Sequence, residues 1–561
     1  MRKLVLLFAI LLCNLPLGAR GTVERSYVST DRDIYLAGEK VWCSAFCVDA
    51  ATSRLSPVSA VAYVELQSAS GMALGGRIAL QDGRGAGCIT LPAGLPTGNY
   101  NIVAYTRQNI NEPGFKPFAS RTISVFNVFS TERVPGGVKV VDPDACPAPS
   151  RTSEGGHGIS VSAADGACGS VIPVNLSLQG ALPASVSVSI FRSDSIASPA
   201  NDGISAFSGV VRAASGCTVR EGAVPEYEGE ILRGHIVGLS PDKISSVAGG
   251  RAYISAPGDR FDIYSSLIDS TGAVTFRTGN IYGSCDMVCE LRGIDTALNC
   301  HLELEEPFLG VKADAPAVLP LSRSMASDLE RRAAAMQIER RFAADTLYDW
   351  LHFRGNGFLG QDKVSYILDD YTRFPLMKEV FIEFIPEIRA VNAGGGHHRI
   401  QIQIAGGGGI SNFTDGDPLM LIDGVPVFDH DLIYAYDPLL VRRIDIYPHV
   451  HYLDGVEYAG VVNFVTYKGN MPSVDFGSAV RVLSFNGAAF PQAYTGAGID
   501  ASEYPDYRST IYWDPLVELT PGSATVLECR APAYSGTFTV RVEGLASDGT
   551  PVYAETAIQI R

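Results

Sequence analysis

The chain has 561 residues, with 44 Lys+Arg against 60 Asp+Glu and a formal net charge of −16. A chain this acidic, with no basic run, is excluded as a binder of nucleic-acid backbones. Its 46% hydrophobic and 19% charged residues exclude a disordered chain, and at ~150 residues per domain the length predicts about four domains.

Arg2 and Lys3 precede the apolar run Leu4–Leu12, and Ala19-Arg20-Gly21 supplies small residues for cleavage. This pattern predicts a signal peptide over 1–21, so the mature protein is expected to be exported. Leu12 precedes Cys13 where a lipid-attachment box would carry Gly, Ala or Ser. No later segment is long and apolar enough to suggest a membrane span, so a peripheral protein is expected. Cys43 and Cys47 share a face if Val41–Val48 is a strand, but at ~13 Å apart they cannot bond to each other. Cys285, Cys289, Cys300 and His301 are read as buried small residues or disulfide partners in preference to zinc ligands.

Residues 22–128 alternate short strands with turns, a β-sandwich pattern, as in Ala62-Tyr63-Val64-Glu65-Leu66. A linker follows over 129–158, richest in Pro, Gly and Ser from Gly136 to Gly158, and a second β unit is expected over 159–228. Residues 229–305 have the length of another small sandwich. A helical connector spans 306–358, with Ser327-Asp328-Leu329-Glu330 read as a capping box opening a helix over Asp328–Phe342. Leu329, Ala333, Met336 and Ile338 form its apolar stripe, and Arg331, Arg332, Arg340 and Arg341 its wet face. Within 359–487 the pattern is α+β: a helix near Met377–Ile388, then strands at Arg399–Ile404, Leu419–Ile422, Ile444–Tyr447 and Val461–Tyr467. Ala488–Tyr504 reads as a linker, and 505–561 returns to β alternation.

Three family resemblances cover most of this order. Tyr27-Val28-Ser29-Thr30-Asp31-Arg32-Asp33-Ile34-Tyr35-Leu36-Ala37-Gly38-Glu39 and Leu95-Pro96-Thr97-Gly98-Asn99-Tyr100 resemble the second macroglobulin-type domain of the α-macroglobulin superfamily. Tyr507-Arg508-Ser509-Thr510-Ile511-Tyr512-Trp513-Asp514-Pro515 looks like another such domain over 505–561, although Thr520-Pro521-Gly522 replaces the usual Asp/Gly turn. The family's Cys-Gly-Glu-Gln thioester motif is absent from the sequence, so the resemblance does not imply a covalent protease trap. Residues 229–305 resemble the carboxypeptidase-regulatory type of sandwich. Pro418-Leu419-Met420-Leu421-Ile422-Asp423-Gly424-Val425-Pro426-Val427 is similar to the core of a TonB-dependent receptor plug. So are the later Val441-Arg442-Arg443-Ile444-Asp445-Ile446 and Tyr458-Ala459-Gly460-Val461-Val462-Asn463-Phe464. Leu368-Asp369-Asp370-Tyr371-Thr372-Arg373-Phe374-Pro375 resembles the lead-in found in exported proteins that join the two modules. The stretch after Lys468 is too short for the ~200 residues a receptor barrel needs.

The expected fold is therefore mainly β and multidomain, with several Ig- or macroglobulin-like β-sandwiches and one α+β plug-like domain. Partner- or ligand-binding candidates are Asp369, Asp370, Tyr371, Arg373, Asp423, Gly424, Tyr434 and Tyr452. Asp423-Gly424 has a simpler reading as a capped tight turn. Asp369, Asp370 and Asp423 lack a calcium-loop spacing and read as a solvated acidic face. His449 and His451 share a strand face, with His430, His397 or His398 as a third metal ligand, but no zinc spacing is present. Gly355–Gly360 matches Gly-x-Gly-x-x-Gly outside the strand-to-helix context it needs, and Gly394–Gly396 and Gly406–Gly409 read as hairpin ends. No cofactor and no enzymatic activity are expected. The function expected is a cell-envelope binding scaffold, in the periplasm or at the outer membrane of a Gram-negative cell, whose plug-like domain docks an envelope protein such as an outer-membrane β-barrel. The alternatives are a thioester-free, protease-interacting scaffold with a bait loop in 136–158, and an exported metal-dependent hydrolase around His430, His449 and His451.

Overall fold

The computed structural model describes residues 21–143, 155–258, 261–279, 281–295, 298–310, 312–342, 348–351, 362–404, 412–474, 480–495 and 506–561. Cys13, the core of the 136–158 bait-loop segment, Gly355–Gly360 and Gly406–Gly409 lie outside them. The fold is mainly β and multidomain. It divides into two compact units: Met1–Tyr227 with Phe308–Phe353 and Ala488–Arg561, and Glu228–Pro307 with Arg354–Gly487.

In the first unit, residues 22–128 form a sandwich of a three-stranded and a larger sheet. The strand Lys40–Asp49 shows how its sequence specifies two surfaces at once. Val41, Cys43, Ala45 and Cys47 enter the sandwich core, while Phe46 and Val48 on the opposite face join Tyr27, Ile204, Phe207, Val211 and Leu545 in a separate cluster. Period-two alternation normally divides core from solvent; here both faces are covered, so the strand is apolar almost throughout.

The segments 159–228 and 505–561, expected as separate units, share one sandwich. Ala184–Arg192 lies in the middle of its sheet, paired on one side with Thr510–Leu519 and on the other with Gly536–Ala546. Val171–Leu178 pairs with Ala524–Arg530 in the facing sheet. Neither segment has enough strands to enclose a core alone, and their inward residues form a single cluster. The rest of the expected β unit is an amphipathic helix, Gly203–Ala214, burying Ile204, Phe207, Val211 and Ala214.

The connector helix runs Ala326–Phe342 and follows a 3₁₀ turn in which Ser322 accepts from the Ser324 amide. Ser327 is therefore inside the helix and not its cap. Arg332 is not on the wet face: it is buried and bound to Asp194 at 2.6 Å. The expected linker Ala488–Tyr504 contributes short strand pieces, with Ala488–Ala489 pairing beside Arg77 and Ile78 and Gln492–Ala493 beside Asp349–Trp350.

In the second unit, the sandwich begun at Ile231–Val237 takes its outer strand from Val480–Asn486, far downstream. The α+β domain has a five-stranded mixed sheet in the order Val364–Ile367, Val441–Tyr447, Val461–Thr466, Leu419–Ile422, Val425–Pro426. Met377, Val380 and Phe381 bury one face of the helix Met377–Phe384. This helix stops short of Ile388 because Pro386 cannot continue it and the residue before a proline disfavours helix; Ile385 is indeed its non-helical C-cap. An apolar seam joins this domain to the neighbouring sandwich, with Tyr253, Phe261 and Ile263 packing against Leu419, Leu421, Tyr447, Leu453, Tyr458 and Val461. The nine cysteines among the described residues are free, with Cys289 and Cys300 buried in a core.

Candidate functional site

The candidate residues of the α+β domain separate into a structural set and a surface set. Asp423 is buried and left-handed, φ +51°. Its carboxylate accepts from the Thr466 amide (2.7 Å), the Thr466 hydroxyl (2.6 Å) and the Met471 amide (2.8 Å). Gly424 has φ +84°, donates to Asn463 Oδ1 at 3.0 Å, and would place a Cβ 2.2 Å from that of Phe261. The pair is a turn that locks three strands and the seam, as its turn chemistry suggests. Arg373 is also structural, donating to the carbonyls of Pro438 (2.6 Å) and Val441 (3.0 Å).

Asp369 is exposed, accepts from the Tyr467 hydroxyl and lies 3.5 Å from Arg373. Asp370 is exposed. Tyr371 is exposed and stacks on Phe384 with centroids 4.5 Å apart. Tyr452 is exposed on the hairpin His451–Leu453/Val456–Tyr458 and donates to Glu457. Tyr434 stacks on His398 at 3.8 Å.

The histidines do not assemble a metal site. His430 accepts from the Ile400 amide, and burial holds its pKa below the ordinary value. His449 is exposed, whereas burial, reinforced by His449, depresses the His451 imidazole. His397 and His398 both turn to Asp431, at 2.7 and 3.0 Å. Hydrogen bonds from these two residues pull that carboxyl down to about 2. Among the described residues no group of three His, Cys, Asp or Glu side chains is arranged to hold a metal ion.

Asp369, Asp370 and Tyr371 directly follow a strand that the candidate residues omit. Val364–Ile367 is an edge strand, paired with Val441–Tyr447 on one side and with no strand among the described residues on the other. Its Val364 and Ile367 are exposed, as are Leu376 (56%) and Ile382 (70%) on the neighbouring helix segment and Leu439 and Tyr467 nearby in sequence to the sheet strands. A helical wheel could have found Ile382: Met377, Val380 and Phe381 make the buried stripe, with Phe384 half-buried beside it, and Ile382 falls off it.

A second constellation, in the first unit, was not anticipated. Residues of the macroglobulin-resembling stretch make a buried polar joint between the two sandwiches. Asp31 accepts from Tyr35 (2.7 Å), from the Trp42 amide (3.1 Å) and from the Thr510 hydroxyl (2.5 Å). Arg32 reaches Glu39 at 2.8 Å and donates to Thr510 at 2.9 Å. Asp33 receives both terminal nitrogens of Arg541, at 2.6 and 3.1 Å. Glu543 accepts from Tyr27, Ser29, Arg121 and the Ile204 amide. Burial would raise the Glu543 carboxyl, but Arg121 and Arg541 with these hydrogen bonds hold it below its ordinary range. Asp33 is held low in the same way by Arg541 and Arg121. The run Asp31-Arg32-Asp33 signals a special site, since adjacent charges are seldom buried unpaired; its distant partners Thr510 and Arg541, 478 to 508 positions away, carry no local signal.

No family model matches the chain, and no curated protein matches it. The solved structures it is similar to include bacterial α-2-macroglobulins. Salmonella α-2-macroglobulin reacted with methylamine is 9% identical, covering 97% of this chain and 40% of that one at a TM-score of 0.24. Trypsin-activated α-2-macroglobulin from Escherichia coli is 8% identical, covering 97% and 42% at 0.23. Dimeric latent PorU from Porphyromonas gingivalis is 9% identical, covering 51% and 33% at 0.15. The chain spans about two fifths of the length of these macroglobulins. Among the described residues no helix is long and apolar enough to cross a membrane.

Proposed function

We propose that the chain is an exported, non-enzymatic scaffold of the cell envelope whose α+β domain docks a protein partner, an outer-membrane β-barrel being the candidate its plug-like sequence suggests. The observation that carries this reading is the edge strand Val364–Ile367, unpaired on one side among the described residues, with its own Val364 and Ile367 exposed. An unprotected edge presents unpaired amide and carbonyl groups that a partner strand can complete. Exposed Ile367, Leu376 and Ile382 add apolar area that a partner would cover. The sandwich joined to it by the apolar seam acts as its support.

The test is affinity capture of the tagged protein from crosslinked cells, with mass spectrometry, comparing the native chain with Ile367→Lys/Ile382→Asp. A single abundant envelope protein captured by the native chain and lost in the variant is the expected result. Equal capture by both would contradict the proposal. Point substitutions are preferred to removing the domain, because removal would strip Leu419, Leu421 and Tyr447 from the seam. Retention of trypsin after cleavage of the chain, with no envelope protein captured, would favour the protease-interacting alternative.

A further inference from the structure

Two concave spaces in the first unit carry charged linings, and they differ in what those charges already do. The larger, about 750 Å³, is lined by Arg121, Arg332 and Arg541 among others. Each of these arginines is bound to a carboxylate, Arg332 to Asp194 and the other two within the Asp33/Glu543 network. It is the solvent margin of the joint.

The smaller space, about 320 Å³, is built differently. Its wall is aromatic: the rings of Trp42 and Tyr348 are 5.1 Å apart, and those of Tyr348 and Tyr494 5.2 Å. Met336 closes it on the helix side. The Lys40 ammonium lies 4.8 Å from the Tyr348 centroid and 5.7 Å from that of Trp42, and forms no ion pair among the described residues. Such a cation is stabilised by the ring faces but keeps its hydrogen-bond donors free. Arg340 spends one terminal nitrogen on the Gly38 carbonyl, at 2.9 Å, and presents the rest of its guanidinium at the rim. Arg32 and Glu39 neutralise each other at 2.8 Å. Burial pushes the Glu339 carboxyl up to about 7 against the pull of Arg32, so it opposes Lys40 and Arg340 only in part. The pocket thus offers flat apolar walls and surplus positive charge, in a volume at the small end of the ~300–1,000 Å³ range of ligand sites.

We propose that this pocket binds a small carboxylic acid carrying a flat-faced ring, with the ring against Trp42, Tyr348 and Tyr494 and the carboxylate held by Lys40 and Arg340. A sugar acid and an aromatic acid share this chemistry. The full chain is titrated with glucuronate and with 3-phenylpropionate, and with glucose and 3-phenylpropanol as uncharged counterparts, following tryptophan fluorescence. Trp42 forms the wall and Trp513 belongs to the same cluster, so occupancy is reported directly. The expected result is a saturable change with at least one acid and none with its uncharged counterpart; the acid that responds identifies the source. Lys40→Met weakens binding ~10-fold or more with an unchanged melting temperature, and Tyr348→Ala also weakens it. Affinity falls from about pH 6 to about pH 8 as Glu339 ionises, because the ligand stays charged throughout. Arg32, Glu39, Arg508 and Asp31 are the groups that face Glu339, and Glu339→Gln removes the fall. No saturable change with either acid up to ~10 mM, well above the ~1 mM of weak binding, would overturn the proposal. So would equal binding of the uncharged counterparts, or native affinity in a folded Lys40→Met.

Discussion

The two units each weld a pair of domains, and they do it with opposite chemistry. In the first, Asp33, Glu543, Arg121 and Arg541 form a buried ionic joint between two sandwiches. In the second, Phe261, Ile263, Leu419 and Leu421 form an apolar seam between a sandwich and the α+β domain, with Tyr253 and Tyr458 hydroxyls 3.2 Å apart within it. Ionic joints demand one geometry, because a misplaced charge is left desolvated and unpaired. Apolar seams tolerate small shifts and ignore pH. The contrast predicts that the two units fail under different perturbations.

The largest effect should come from Glu543→Ala, which strands the Tyr27 hydroxyl and leaves Arg121 with Asp33 at 3.6 Å in place of its closer partner. A cost of about 3–5 kcal/mol is expected for breaking a buried pair from one side, read as a lower denaturant midpoint for the first unit while the second keeps its own. Acid should act on the same joint. Both Glu543 and Asp33 have folded pKa values depressed below 4.5 and 3.8, so their stabilisation is present above those values and is lost as pH falls through the lower folded ones. Calorimetry below about pH 4 should therefore bring down the first unit's transition faster, and a parallel decline of both would break the comparison.

Gly424→Ala is the matching perturbation of the seam. A Cβ there meets Phe261, and φ is +84°; a loss of about 1–3 kcal/mol is expected from the strained backbone, confined to the second unit and independent of pH. Smaller still is Tyr458→Phe, which removes one hydroxyl from the Tyr253 pair and should cost about 0.5–1.5 kcal/mol in denaturant titration. Ile382→Asp, on the exposed face, should leave the melting curve within about 0.5 kcal/mol of native, separating docking from folding.

How much of this was legible in the sequence depends on the range of the interaction. Strands such as Leu419–Ile422 and Val461–Thr466 and the turn Asp423-Gly424 were readable because alternation and turn chemistry are local. The common sandwich of 159–178 with 510–560 was not, since strand pairing across hundreds of residues leaves no periodic trace. For the same reason Asp31-Arg32-Asp33 read only as part of a macroglobulin-like stretch, whereas Arg541 and Thr510 make it a joint. Of the surface candidates, Tyr371 and Asp369 sit where the docking face is proposed. Asp423, Gly424 and Arg373 hold the domain together instead.

The most direct measurement carries a photoreactive benzophenone side chain at position 382 of the full chain and irradiates intact cells of the native host. The account predicts one discrete adduct containing an outer-membrane β-barrel protein, lost when Ile367→Lys is added to the edge strand. No adduct, or the same adduct in the presence of Ile367→Lys, would contradict it.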